Sequence, residues 1–590
     1  MSRDPGNLNF RWAHAVVHYL SRYGLQNACI SPGSRNTPLT LAFVNHSEIE
    51  TSSHIDERSC GFFGLGLAKR SHRPVALTCT SGTAAANFFP AIIEANASNI
   101  PLVVCTADRP PHLHGIGANQ TIDQQDLYGN KVRLSLDMGL PENSSSAWNR
   151  LYKQLQQIIP HLKGEQPGPI HLNFPFGKPL EPEDPHNLPK VAEILSRADP
   201  LPAESTKKIT CTEKEISGVT EHIRSARKGL IMAGPMVYDR KFVSRCFQLA
   251  DRTGYPLLAD GISQLRFGNY HAGQLCCHAS SFLQSEVFTK ANTPELILRF
   301  GRMPTNREPR EYLTAHAGVP QILVSGDGIK HDSTRTLSRW IKSDPADFLQ
   351  RLLTHLNKGE DIHPDPEWSS LFKRAEQISA EIIHGETGGH GDFEGRIYPE
   401  VLRRIPPNTN LMVSNSMPVR DLDYYAPHVK VQIPVYFNRG VSGIDGITST
   451  ALGITRAFYE PMVLITGDLA FIHDSPGILS AAHYDLPITV VLINNSGGGI
   501  FEMLPVSQYP DRFKDYITTP HQVKFEDLTR AFRGQFTNIT TWDQFEAVFQ
   551  RAVLSREFHV LQFRTNARDS QHLREQIRTK VLDAIVGEFS

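Results

Sequence analysis

A chain of 590 residues has room for about three to five folded units at roughly 100 to 200 residues each, which excludes a single small binding module. Lys plus Arg number 60 and Asp plus Glu 61, a formal charge of -1, so bulk charge gives no hold on nucleic acid or a membrane surface and any charged ligand must be met locally. The 40% hydrophobic content, with 30 Phe, 16 Tyr and 5 Trp, can fill several cores and excludes a chain disordered throughout.

The opening MSRDPGNLNFRWAHAVVHYL lacks a basic segment followed by an apolar run, and no later stretch approaches the roughly 18 apolar residues that cross a bilayer. The expectation is a soluble cytoplasmic protein with neither membrane nor nucleic-acid partner. The 8 cysteines show no C-x-x-C spacing and several sit in apolar runs, which reads as buried free thiols. Cys276-Cys277 has no second cluster to complete a metal site.

Short runs rich in Val, Ile and Leu alternate with longer amphipathic segments, the pattern of parallel strands covered on both faces by helices. In chain order the predicted strands are Ala28–Ile30, Val75–Thr80, Leu102–Thr106 and Ile170–Phe174. A second set is Gly229–Ala233, Pro256–Ala259, Leu296–Phe300 and Ile322–Ser325. The third is Leu411–Ser414, Val463–Thr466, Thr489–Asn494 and His559–Phe563. Polar, proline-containing stretches at Leu180–Thr206 and Lys358–Gly395 separate the sets. The class is therefore α/β, with three doubly wound parallel-sheet domains at 1–180, 207–357 and 396–590. The first and third sets resemble each other: Thr80-Ser81-Gly82 and Thr466-Gly467-Asp468 each end a strand, and Ile100-Pro101 and Leu486-Pro487 open the next after nearly the same interval. Any βαβ unit shows something similar, so duplication and coincidence both stand on pattern alone.

The most specific local chemistry is LITGDLAFIHD followed by VVLINNSGGGIF, in which Asn495 lies 27 positions after Asp468. Both follow predicted parallel strands, so a carboxylate and an amide converge on the carboxyl edge of the sheet, where ligands bind. Their oxygens are hard donors suited to Mg²⁺, which completes its octahedron with phosphate oxygens and water. Gly497-Gly498-Gly499 adds a backbone that a ligand can approach, with a carbonyl as a further donor and amides for phosphate. Ser325-Gly326-Asp327-Gly328 also follows a strand but has no Asn pair at the needed distance, which rules it out as a cofactor site. The Asp468–Asn495 spacing resembles the thiamine diphosphate signature. Such catalysis also needs a carboxylate that hydrogen-bonds the aminopyrimidine, and in Ser53-His54-Ile55-Asp56-Glu57-Arg58 the candidate is Glu57; a helix cap with an acidic first turn is the plain alternative.

Longer motifs narrow this further. ISPGSRNTPL from Ile30, TSGTAAAN from Thr80, TADRPP from Thr106, GANQ from Gly117 and NRGVSGIDG from Asn438 occur in this order over nearly the whole chain. Together they resemble the 2-succinyl-5-enolpyruvyl-6-hydroxy-3-cyclohexene-1-carboxylate (SEPHCHC) synthase family of menaquinone and phylloquinone biosynthesis, thiamine diphosphate-dependent transferases. The resemblance implies an N-terminal pyrimidine-binding domain, a central domain and a C-terminal diphosphate-binding domain. It further implies a homodimer or homotetramer in which Glu57 acts on cofactor held largely by the partner subunit.

In this family's pattern Asp468, Asn495 and the Gly497 carbonyl correspond to ligands of Mg²⁺, with Mn²⁺ as a substitute. Ser442, Ile444, Gly467, Leu469 and Gly498 correspond to further cofactor contacts, Ile444 being the apolar wedge that bends the cofactor. The implied reaction decarboxylates 2-oxoglutarate and adds the resulting carbanion in a 1,4 sense to isochorismate. Both substrates are dicarboxylates, suited to planar guanidinium groups, and Arg35, Arg109, Arg307, Arg420 and Arg439, with Ser34, Gln120 and Ser416, stand at the matching positions. Two departures stand out. Asn306 occupies the place of a family lysine, which puts that role in doubt, and Leu469 stands where many thiamine enzymes have a third Gly, a variation that this family shares. His112 and His114 read as loop residues. The rival readings are another thiamine-dependent 2-oxoacid enzyme, of acetohydroxyacid synthase or decarboxylase type, and an inactive binding homologue.

Overall fold

The structure is a computed structural model that describes residues 5–164, 166–184, 209–358, 361–389, 391–509, 512 and 514–590. Most of the proposed 180–206 separator lies outside these. The described chain forms three parallel six-stranded sheets with flanking helices, the α/β class expected. In the first, β1 (Asn27–Ile30), β2 (Glu50–Ser53), β3 (Val75–Cys79), β4 (Leu102–Asp108), β5 (Leu134–Asp137) and β6 (Ile170–Pro175) lie in the order β2-β1-β3-β4-β6-β5. In the second, β7 (Gly229–Ala233), β8 (Leu257–Ala259), β9 (Leu275–Cys276), β10 (Leu296–Phe300), β11 (Gln321–Ser325) and β12 (Arg339–Lys342) take the order β12-β11-β10-β7-β8-β9. In the third, β13 (Asn410–Val413), β14 (Val435–Tyr436), β15 (Met462–Gly467), β16 (Ile488–Asn494), β17 (Gln535–Ile539) and β18 (His559–Arg564) run β14-β13-β15-β16-β18-β17.

The first and third sheets thus share one topology and the second has another. This is the likeness glimpsed in their turn motifs, and it now covers six strands with their order. Most interior strands are apolar runs buried on both faces, as parallel sheets between helices require, while β6 and β18 also bury His171, Asn173 and Gln562.

The chain divides into two compact units. One comprises the described residues of 1–207 together with Asn438–Tyr459 and His473–Leu486, and the other comprises the remainder. In the first unit the helix Glu57–Ser71 is capped by Asp56, whose side chain accepts from Ser59 N at 2.8 Å. It crosses the helix Ile447–Phe458 at a distance only glycine allows: a Cβ on Gly66 would stand 2.1 Å from the Thr450 carbonyl oxygen, and one on Gly453 2.0 Å from that of Phe63.

In the second unit, the stretch 358–395 is not a plain linker. It contains the 24-residue helix Pro366–Gly389, which buries Trp368, Phe372, Ala375 and Ile378 and packs along the C-terminal helix Ala567–Phe589. Its polar outer face and Gly-rich end conceal that periodicity in the sequence. All eight cysteines are free and buried. Among the described residues no helix is long and apolar enough to cross a membrane.

Candidate active site

Parallel strands deliver the residues that follow them to one edge of a sheet, and the sequence-predicted residues fall on such edges in both units. In the first unit, Ser34 and Arg35 follow β1, Glu57 follows β2, and Arg109 follows β4, while the Thr80-Ser81-Gly82 turn follows β3. The β1 and β3 turns touch, since a Cβ on Gly33 would stand 2.4 Å from Thr80 Cβ. Gln120 packs against Gly82, whose amide is held by Gln124 Oε1 at 2.8 Å. Arg35 is buried and donates from Nη1 to the Phe176 carbonyl at 2.7 Å. Arg109 carries its own backbone amide against Asp108 Oδ1, and its carbonyl accepts from His114 Nε2 at 2.9 Å; His114 is thus a loop brace, as read. Glu57 is half-buried near the Cys79 thiol, which burial first and the Glu57 charge second push upward.

The loop holding Arg439, Ser442 and Ile444 follows β14 and belongs to the same compact unit as Glu57. Its anchor is Glu94, a buried carboxylate that accepts from the Gly440 and Val441 amides at 2.9 and 2.8 Å and from Ser98 Oγ at 2.9 Å. Gln120, Ser442 and, in the other unit, Ser416 adopt φ of 52°, 62° and 73°. Left-handed backbone at non-glycine residues is strained and concentrates at functional sites, so these three positions carry a mark that no side-chain pattern shows.

In the second unit, β13, β15 and β16 are neighbours, and from their ends come Ser416 with Arg420, then Gly467-Asp468-Leu469, then Asn495-Ser496-Gly497-Gly498. Asp468 is buried; its Oδ1 accepts from Leu469 N at 2.7 Å and its Oδ2 from Gly497 N at 3.0 Å. His521 Nε2 lies 3.2 Å from the same Oδ2. Burial pushes the Asp468 carboxyl above its ordinary range, and His521 and the two amides offset part of that rise. Asn495 donates from Nδ2 to Glu394 Oε1 at 2.9 Å, while its Oδ1 is buried without a partner. A buried carboxylate and an orphaned buried amide oxygen on adjoining strand ends are the hard oxygen donors that a divalent ion takes, and an unpaired buried acceptor is costly unless something fills it. Gly497 accommodates close approach of its loop, since a Cβ there would stand 2.5 Å from the Thr518 carbonyl oxygen. The donor set therefore fits a metal–diphosphate group. Asp327, the rejected copy, instead meets His331 Nε2 at 2.5 Å.

Arg307 and Arg420 line one cavity of about 410 Å³, together with Asn306, Arg310, Tyr424 and Ile500. Arg307 is 69% exposed, pairing at 3.1 Å with Glu311, whereas Arg420 is half-buried and donates to the Ser416 carbonyl at 2.6 Å. Burial, and then the charge of Arg310, depress the Arg420 guanidinium, so an anion in this cavity relieves an existing electrostatic cost. Asn306 is buried, and its Nδ2 donates to Asp423 Oδ2 at 2.7 Å. Asp423 also pairs with the buried Arg266 at 2.6 Å. Asn306 thereby ties the Arg307 turn to the helix of Arg420. Sequence reasoning missed Glu94, Glu394, His521 and Arg310, each of which meets the site only through the fold.

Two family models match the chain: the thiamine pyrophosphate enzyme N-terminal TPP binding domain over residues 10–127 and the C-terminal TPP binding domain over 428–563. Relatives named 2-succinyl-5-enolpyruvyl-6-hydroxy-3-cyclohexene-1-carboxylate synthase match it over nearly the full length. That of Haloarcula marismortui is 39% identical over 99% of this chain and 99% of its own. Those of Roseiflexus sp. and Bacillus cytotoxicus are 36% and 34% identical, over 95% and 96% of this chain and 96% and 95% of their own. With both thiamine pyrophosphate domains present and such identity sustained from end to end, the chain belongs to the SEPHCHC synthase family of thiamine pyrophosphate enzymes.

Proposed function

We propose that the protein decarboxylates 2-oxoglutarate and adds the remaining four-carbon unit in a 1,4 sense to isochorismate, releasing SEPHCHC and CO₂ for quinone biosynthesis. The observation that carries this reading is the guanidinium-lined cavity of about 410 Å³ in the unit that also bears Asp468 and Asn495. A small monocarboxylate such as pyruvate needs no such set, whereas dicarboxylates are held best by planar bidentate donors. Thiamine diphosphate, when bound, supplies the electron sink for decarboxylation.

The residues divide the remaining work. Asp468, Asn495 and the Gly497 carbonyl hold Mg²⁺, or Mn²⁺ in its place; Gly467, Leu469 and Gly498 adjoin the diphosphate. Ser442 and Ile444 shape the cofactor's seat, and Glu57 accepts and returns a proton at the aminopyrimidine. Arg307 and Arg420, with Ser416, are the carboxylate-holding groups of the second unit, and Ser34, Arg35, Arg109, Gln120 and Arg439 are those of the first. In the homodimer or homotetramer of this reading, Glu57 of one chain serves cofactor bound by the other, in the cytoplasm. The test is to supply thiamine diphosphate, Mg²⁺ and isochorismate with either 2-oxoglutarate or pyruvate. Isochorismate absorbance falls with 2-oxoglutarate alone; consumption of pyruvate, or constant absorbance, overturns the reading.

A further inference from the structure

Among the three metal donors, only Asn495 offers an atom whose identity depends on how its side chain is turned. A half-turn of the amide replaces an oxygen by an NH₂ of nearly equal size, which cannot bind a cation. What sets that turn is visible on the far side of the amide. Asn495 Nδ2 donates to Glu394 Oε1 at 2.9 Å, and since an ionised carboxylate only accepts, the nitrogen must face Glu394 and the oxygen must face away. The oxygen that faces away is the buried one without a partner.

Glu394 is itself fixed. It is 2% exposed, its Oε1 also accepts from Thr565 Oγ1 at 2.9 Å, and its Oε2 accepts from Arg574 Nη2 at 2.6 Å. Arg574 is locked in turn by Asp421, with Nε to Oδ1 at 2.9 Å and Nη2 to Oδ2 at 2.6 Å. Every partner of Glu394 is thus a donor, and the carboxylate has no freedom to present anything but acceptors. Asp421 adjoins Arg420 on the helix Met417–Tyr425, so the same network reaches the helix that carries the cavity's half-buried guanidinium.

We propose that Glu394 is a positioning residue for the metal site, acting through Asn495 by forcing the amide oxygen toward the cation. This rests on the reading of Asn495 as a metal ligand. Partners behind metal ligands set their orientation, and their loss weakens metal affinity about 10- to 100-fold. The substitution Glu394→Gln is close in shape but reverses the constraint. The new amide must turn its oxygen to Arg574, which leaves NH₂ facing Asn495 and favours the wrong turn there.

The test reads Mn²⁺ binding directly, by loss of the free-ion electron paramagnetic resonance signal during titration of the full chain with saturating thiamine diphosphate. Glu394→Gln is expected to weaken Mn²⁺ about 10- to 100-fold. Adding Asn495→Asp is expected to restore most of the loss, because one carboxylate oxygen then accepts from the new amide while the other faces the ion. A general loosening of the fold would not be repaired by that second change. Asn495→Ala supplies the reference. If it leaves Mn²⁺ affinity at the wild-type value, the metal-site reading itself fails. If Asn495→Ala weakens binding but Glu394→Gln does not, the positioning role alone is overturned. Should Glu394→Gln fail to fold, the double variant decides: affinity near wild type upholds the role, and affinity as poor as Asn495→Ala overturns it.

Discussion

A carboxylate that activates a cofactor does so by proton transfer, a contribution of about 10²- to 10⁴-fold in rate. Glu57→Gln keeps the shape and the helix position while removing the base, so turnover should fall by that range with thiamine diphosphate affinity changed only a few-fold. Stopped turnover assays and cofactor titration read the two quantities separately; normal turnover removes Glu57 from this role. A second residue-scale expectation concerns His171, buried between Thr106 Oγ1 at 2.7 Å and Ser135 Oγ at 3.3 Å. Burial lowers it from 6.5 to about 4. Its folded pKa lies below its unfolded one, so the stability it contributes is complete above about pH 6.5 and is lost as pH falls toward 4. Asp260 and Asp474, raised by burial to about 6, act with the opposite sign and are common to both proteins. In denaturation series, His171→Gln should therefore lose less stability than wild type between pH 6.5 and 4, by up to about 3 kcal/mol; parallel curves contradict this. At this scale the sequence was legible where a residue type carries its own chemistry, as with Asp468 and Asn495. It was opaque for Glu394, which lies in a stretch that reads as a separator and whose partners Asn495, Thr565 and Arg574 are brought to it by folding.

Among the elements, the crossing of Glu57–Ser71 over Ile447–Phe458 carries a sharp expectation, because both contacts run into backbone carbonyls that cannot swing aside. Gly453→Ala should destabilise the protein by about 1–3 kcal/mol or more as the helices are forced apart, seen as a lowered denaturation midpoint; an unchanged midpoint would mean the helices do not pack this closely. Elements also divide cleanly by legibility. The twelve predicted strands are the interior strands of the three sheets, and the six that were missed, β2, β5, β9, β12, β14 and β17, are the sheet edges. An interior parallel strand is buried on both faces and reads as an apolar run. An edge strand such as Glu50–Ser53 or Arg339–Lys342 is short, polar and half-exposed, as edges that avoid unwanted pairing are, and it leaves no such run.

For the molecule as a whole, the shared topology of the first and third sheets gives the site residues a common plan. The ends of β1, β2, β3 and β4 carry Arg35, Glu57, Gly82 and Arg109, and the ends of their counterparts β13, β14, β15 and β16 carry Ser416, Arg439, Asp468 and Asn495. One sheet architecture, used twice, thus presents the arginines and the Glu57 carboxylate at its strand ends in one case and the Asp468 carboxylate and Asn495 amide in the other. Turn motifs alone hinted at this, but strand order was needed to see it, since the edges that complete the topology were the invisible part. If cofactor is shared between chains as proposed, co-expressed Glu57→Gln and Asp468→Ala chains, each nearly inactive alone, should regain about a quarter of wild-type activity, because half of randomly paired dimers hold one intact site of two. No recovery in purified mixed dimers would place both residues' work within one chain.

The most direct measurement follows both substrates at once: CO₂ released from 2-oxoglutarate and isochorismate consumed, with thiamine diphosphate and Mg²⁺ present. Equal amounts of the two, each dependent on the other substrate, are the expected result. CO₂ release with isochorismate left intact would contradict it and leave a simple 2-oxoacid decarboxylase.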